Sequence, residues 1–180
     1  MTLDRGTFTK VADKLAIVLA GMACLAMGAI VVLLVAEMIA RALFDHSFTF
    51  AWEYSAYCMG ILIFGGLGWT LRTGGHIHVT GLQNLLAAGA FRVIETGAHL
   101  AAAVLASLLA LAIGLLCKSS FFDQTRSFLA TETLLFIPQF FMMLGAFGFA
   151  LQAWLRLYLF ITGQPVDIKS ARIDSPQSHL

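Results

Sequence analysis

Four apolar runs, over approximately 15–36, 53–72, 95–117 and 138–160, constrain this chain more than any other feature. The stretches from Leu15 to Ala36 and between Glu53 and Arg72, Glu95 and Lys118, and Pro138 and Arg156 hold no Asp, Glu, Lys or Arg. His99 is the one histidine inside them. A helix needs roughly 20 apolar residues to cross about 30 Å of hydrocarbon, and each run reaches or nearly reaches that length. Four membrane crossings are the simplest count.

Composition agrees, with 59% hydrophobic and 12% charged residues and a mean hydropathy of +0.86 over 180 residues. That leaves too little polar surface to coat a soluble domain. In lipid each backbone polar group must be satisfied within its own segment, so helices are expected. A barrel would need polar and apolar residues to alternate along strands, and they do not. The predicted fold is an all-α integral membrane four-helix bundle, a single domain over 1–180 with a flexible tail from 164 to 180.

The eleven Lys and Arg set the expected orientation. Eight (Arg5, Lys10, Lys14, Arg72, Arg92, Arg156, Lys169, Arg172) fall on one side and three (Arg41, Lys118, Arg126) on the other. The positive-inside rule then puts both termini and the middle connection in the cytoplasm. The first run exceeds a signal-peptide apolar core and no small-residue cleavage site follows it, so it is expected to stay as a signal anchor. A net charge of +1 without a basic stripe gives no reason to expect a nucleic-acid partner. Cys24, Cys58 and Cys117 lie within spans in no C-x-x-C pairing and read as small hydrophobes.

Along the chain, the first dozen residues are expected to form a short interfacial helix. Glu37 and Arg41 stand one helical turn apart, an i, i+4 pair that fixes the depth of a helix end. The loop from Phe44 to Trp52 is rich in aromatics, which favour the headgroup layer. Gly60, Gly65, Gly66 and Gly68 allow another helix to approach span 2 closely. Gly74 and Gly75 should break that helix, and an apolar stretch over 85–91 reads as a helix on the cytoplasmic face. In span 3, Ala98, Ala102, Ala106, Ala110 and Gly114 suggest a small-residue ridge repeating every four residues. After a polar loop over 118–133, Pro138 opens span 4, where a missing N–H costs no helical hydrogen bond.

Chemistry is harder to place. Transport sites usually need intramembrane carboxylates or helices broken at the midplane, whereas Glu37, Glu53 and Glu95 sit at span ends. Haem held by two histidines is disfavoured because His99 alone lies in a span. His76 and His78 lack acidic or cysteine partners for a metal, and no hydrolase motif is present. The expectation is an accessory subunit with no enzymatic activity and no cofactor; the alternative is the membrane anchor of a redox or signalling complex.

Glu37 to Arg41 and Phe44, Phe50-Ala-Trp52-Glu53, Leu71-Arg72-Thr-Gly74-Gly75-His76-Ile-His-Val79, Thr131 to Thr133, and Ile137-Pro138 jointly resemble one family, the small (DctQ-like) permease subunit of tripartite ATP-independent periplasmic (TRAP) transporters. The resemblance runs from about Leu15 to Gly163. It departs from the common pattern at Tyr54 and Thr80, where acidic residues are frequent. It implies a bacterial inner-membrane scaffold for a large permease subunit, a periplasmic solute-binding protein that delivers an organic acid, and sodium-coupled uptake. The motif residues Glu37, Arg41, Trp52, Glu53, Arg72, Gly74, Gly75, His76 and Pro138 are candidates for partner or lipid contact. Among them, Arg41 is expected to pair with Glu53 across helices 1 and 2, Trp52 to anchor helix 2 at the headgroups, and Arg72 and His76 to bind lipid phosphate or cap a helix end.

Overall fold

The computed structural model describes residues 5–73, 88–129 and 131–163. Four helices follow one another: α1 (Arg5–Phe44), α2 (Thr49–Arg72), α3 (Ala88–Phe122) and α4 (Phe136–Ile161), with no strand among the described residues. Each is long and apolar enough to cross a membrane. The chain is an all-α, multi-pass membrane protein.

The helices overrun the apolar runs that announce them. α1 starts at Arg5 and continues without a break, so the opening residues form the first turns of the span rather than a separate interfacial helix. No proline occurs in α1, and nothing after Gly6 interrupts the chain before the apolar run begins. At 40 residues α1 is about 60 Å long at ~1.5 Å per residue. It ends where Asp45 takes a left-handed conformation (φ 49°), one that Asp tolerates better than most side chains. Gly74, Gly75, His76 and the tail lie outside the described residues, as does the 85–87 part of the proposed surface helix; residues 88–91 belong to α3.

α4 is the hub. It packs against the other three helices, while α1 also packs on α2 and α3 packs chiefly on α4. Half of the apolar window of α4 is buried in the protein, against 22% or less for the others. Small residues make this possible. A Cβ placed on Gly145 would lie 2.5 Å from the Phe64 carbonyl carbon, and one on Gly65 would lie 2.9 Å from the Leu19 carbonyl oxygen. Gly60 faces Met142, and Gly68 faces the backbone of Gly148. These contacts rise together along both chains, so α2 and α4 run parallel with backbones nearly touching. Pro138, the third residue of α4, is buried in its first turn, where backbone N–H groups have no intrahelical acceptor.

The ridge on α3 differs from the expected one. The buried positions are Ala103, Ala106, Ile113, Cys117 and Ser120, with Ala110 and Gly114 half-buried between them, while Ala98 and Ala102 are exposed. Steps of exactly four drift around a helix of 3.6 residues per turn, so a five-member ladder cannot hold one face. Alternating steps of three and four can.

Candidate functional site

Two polar clusters, one at each end of the bundle, hold most of the polar groups that the apolar chain buries. The first is built on Glu37, only 4% exposed although it lies on a helix whose flanks face lipid. Its Oε1 accepts hydrogen bonds from Arg41 Nη2 (2.6 Å) and Ser47 Oγ (2.7 Å), and its Oε2 accepts from the Phe48 backbone N–H (2.6 Å). Phe48 is the N-cap of α2 and brings no capping side chain of its own. A carboxylate from α1 therefore caps α2, and its negative charge faces the positive end of that helix. The Glu37–Arg41 pair stands as its spacing suggested, with the guanidinium 57% exposed beside the buried acid.

Glu53, 3% exposed, ties the other connection at this end. Tyr57 donates to its Oε1 at 2.7 Å and the Thr131 hydroxyl donates to its Oε2. Thr131 and Thr133 share a further hydrogen bond of 2.9 Å, and Tyr54 OH lies 3.2 Å from Thr133 Oγ1. The expected Arg41–Glu53 pair is thus replaced by two separate arrangements. Arg41 turns back along its own helix to Glu37, where an i, i+4 partner needs no interhelical reach. Glu53 is held by the side chains of Ser127, Thr131 and Tyr57 and by the Thr131 backbone, with no cation against it among the described residues. Trp52 and Tyr54 flank it in sequence, 64% and 40% exposed.

At the opposite end, Arg72 forks onto Asp13, with Nε to Oδ1 at 2.7 Å and Nη2 to Oδ2 at 2.9 Å. Its guanidinium also lies 5.2 Å from the centroid of the Trp69 ring. Arg72 accordingly serves as an interhelical tie between α1 and α2 rather than as a free lipid ligand. Gln152 donates to the Ala12 carbonyl at 2.8 Å, and Arg156 donates to the Leu71 carbonyl at 2.7 Å. Both are 3% exposed. Arg156, counted above as a flanking charge, lies inside α4 and accommodates its charge by satisfying the carbonyl of a neighbouring helix end. These bonds gather the start of α1 and the ends of α2 and α4 on one face.

Between α3 and α4 runs an apolar groove of about 580 Å³, lined by Ala110, Gly114, Met143, Phe147 and Leu151 among others. Trp154 Nε1 donates to Ser107 Oγ at 2.9 Å beside it. Cys24, Cys58 and Cys117 are free thiols. No group of three or more His, Cys, Asp or Glu able to hold a metal occurs among the described residues.

Of the motif residues, the structure brings Glu37 together with Arg41, and Glu53 together with Thr131. It separates Arg41 from Glu53. Asp13, Ser47 and Tyr57 join these sites without belonging to any motif in the sequence, and Gln152, a polar residue near the end of span 4, turns out to tie α4 to α1. Asp13 carried a readable signal, as an acid at the start of one span facing the base that ends the next span of an antiparallel pair. Ser47 and Tyr57 carried none.

Searches of curated proteins and of solved structures give no match to the chain. Residues 30–163 match the family described as tripartite ATP-independent periplasmic transporters, DctQ component. The match includes all of α2 and α4, the whole Glu53 cluster and Glu37 with Arg41. With four spans, polar groups spent on tying helices together, and a family match over most of its length, the chain belongs to the DctQ family, the membrane component of TRAP transporters that bears that name.

Proposed function

We propose that this chain is the scaffolding small subunit of a sodium-coupled TRAP transporter in a bacterial inner membrane, enlarging the immobile part of a larger permease subunit. The observation that carries this reading is the use made of the buried polar groups. Glu37, Glu53, Gln152 and Arg156 each bond to a neighbouring helix or connection of the same chain. A subunit that itself moved substrate would keep such groups for a pathway. Substrate and sodium then belong to the large subunit, and a periplasmic binding protein delivers an organic acid.

On this reading both termini and the Arg72 end face the cytoplasm, in line with the excess of Lys and Arg there. The Glu37 end then faces the periplasm, and the part of the chain offered to the binding protein is the stretch from Phe44 to Trp52, which the structure divides into the end of α1, a short connection over 45–48 and the first turn of α2 rather than one loop. The lipid-facing flanks of α1 and α3, apolar and little buried within the chain, are the surfaces available to the large subunit.

The test is uptake in proteoliposomes under an inward sodium gradient, with the large subunit and binding protein present and this chain either present or omitted. Uptake that depends on this chain, with no flux from this chain alone, supports the reading. Flux through the chain by itself, or full uptake without it, contradicts it.

A further inference from the structure

We propose that the connection between α3 and α4 is a membrane-dipping hairpin whose tip, Phe128 and Leu129, sits in the lipid leaflet at the Glu53 end of the bundle. The first observation is one of height. The Cys117 thiol lies 3.8 Å from the Phe136 carbonyl, so α4 begins level with Cys117. α3 runs on to Phe122, and those five further residues carry it about 7 Å beyond that level at ~1.5 Å per residue. The chain must therefore come back down the side of the bundle to enter α4.

The second observation fixes how far it descends. Thr131 bonds to Glu53 and Thr133 meets Tyr54, both from the connection onto the flank of α2. Glu53 stands between Trp52 and Tyr54, two exposed aromatics that mark the headgroup boundary of the span. Phe128 is three residues from Thr131, within about 10 Å even for extended chain. The polar layer outside the hydrocarbon is itself only about 5–7 Å deep.

The third observation concerns what the tip offers. Phe128 is 105% exposed and Leu129 is 54% exposed. They are not on a loose strand. The limbs are closed by Ser127 N–H to the Thr133 carbonyl (2.9 Å) and Leu135 N–H to the Thr125 carbonyl (3.0 Å), and the Glu132 N–H bonds to the Leu129 carbonyl (3.1 Å). Two apolar side chains are thus held outward within about 10 Å of the residues that meet Glu53 and the aromatic belt. Lipid is the occupant that this depth supplies. Arg126 and Glu132, 3.8 Å apart and well exposed, remain among the headgroups.

The test uses the full chain, with Cys24, Cys58 and Cys117 replaced by Ala, in nanodiscs of phosphatidylcholine and phosphatidylglycerol. A nitroxide is attached after Phe128→Cys, Leu129→Cys, Trp52→Cys or Asp123→Cys, and collisions with oxygen and with a water-soluble nickel chelate are compared. The ratio of oxygen to nickel accessibility at 128 and 129 is expected to match or exceed that at 52 and to be several-fold above that at 123. A ratio at 128 and 129 equal to that at 123 would place the tip in water and overturn the proposal. Repeated in nanodiscs holding the co-purified transporter, exclusion of both probes from 128 and 129 would assign the tip to a protein partner and overturn it equally.

Discussion

Thr131 donates its hydroxyl to the buried carboxylate of Glu53, 78 residues earlier in the chain, and so pins the α3–α4 connection to the flank of α2. Removing the donor leaves a buried acceptor short of a partner, which costs more than the bond itself contributes. Thr131→Val should therefore lower the melting temperature in detergent by several degrees, Thr131→Ser by much less. In the Glu53→Leu background the two Thr131 variants should converge, because the acceptor is gone. Differential scanning fluorimetry on the four proteins checks this.

Close helix approach gives a sharper contrast. A methyl on Gly145 would meet the backbone of Phe64 and Gly65, whereas Gly66 has nothing within 4 Å of its Cβ position. Gly145→Ala should cost about 1–3 kcal/mol through forced separation of α2 and α4. Gly66→Ala should be neutral or stabilise by up to about 1 kcal/mol, from the better helix propensity of Ala. Equilibrium unfolding in mixed micelles measures both.

The α3 face makes a related prediction. Ala103 is 0% exposed, while the adjacent Ala102 faces outward. Ala103→Leu should destabilise by about 1–3 kcal/mol by overpacking against α4, and Ala102→Leu should leave unfolding unchanged. Equal costs at both positions would contradict the alternating three-and-four register.

The Asp13–Arg72 fork lies at the bundle's opposite end, partly exposed at 36% and 16%. A double-mutant cycle with Asp13→Asn and Arg72→Gln should give a coupling of about 1 kcal/mol, the upper range for such pairs, because two parallel bonds are made. Arg72→Lys should lose most of it, since an ammonium cannot fork. High salt should weaken the coupling.

What could be read from sequence was what the chain encodes locally. Hydropathy marked four spans, i, i+4 spacing marked Glu37 with Arg41, and a proline marked the first turn of α4. Ties between distant residues left no such trace. Arg41 and Glu53 look like natural partners because both stand near one boundary and carry opposite charge. Yet Arg41 finds an acid on its own helix, and Glu53 finds hydroxyls across a connection whose path no periodicity reveals. Arg156 looked like a flanking cation because charge usually ends a span. Buried, it donates to the Leu71 carbonyl near the end of α2, a partner that only the packing of α2 on α4 supplies. The alanine ladder misled for a geometric reason: regular spacing in sequence draws the eye to a row that winds around the helix.

The most direct test of the scaffold account is the mass of what surrounds the chain. The tagged protein would be extracted from its native membrane in mild detergent and weighed by native mass spectrometry. The account predicts a stoichiometric complex with one larger, multi-spanning subunit. A chain that emerges alone, or with a haem-bearing or other redox partner in place of that subunit, would contradict it.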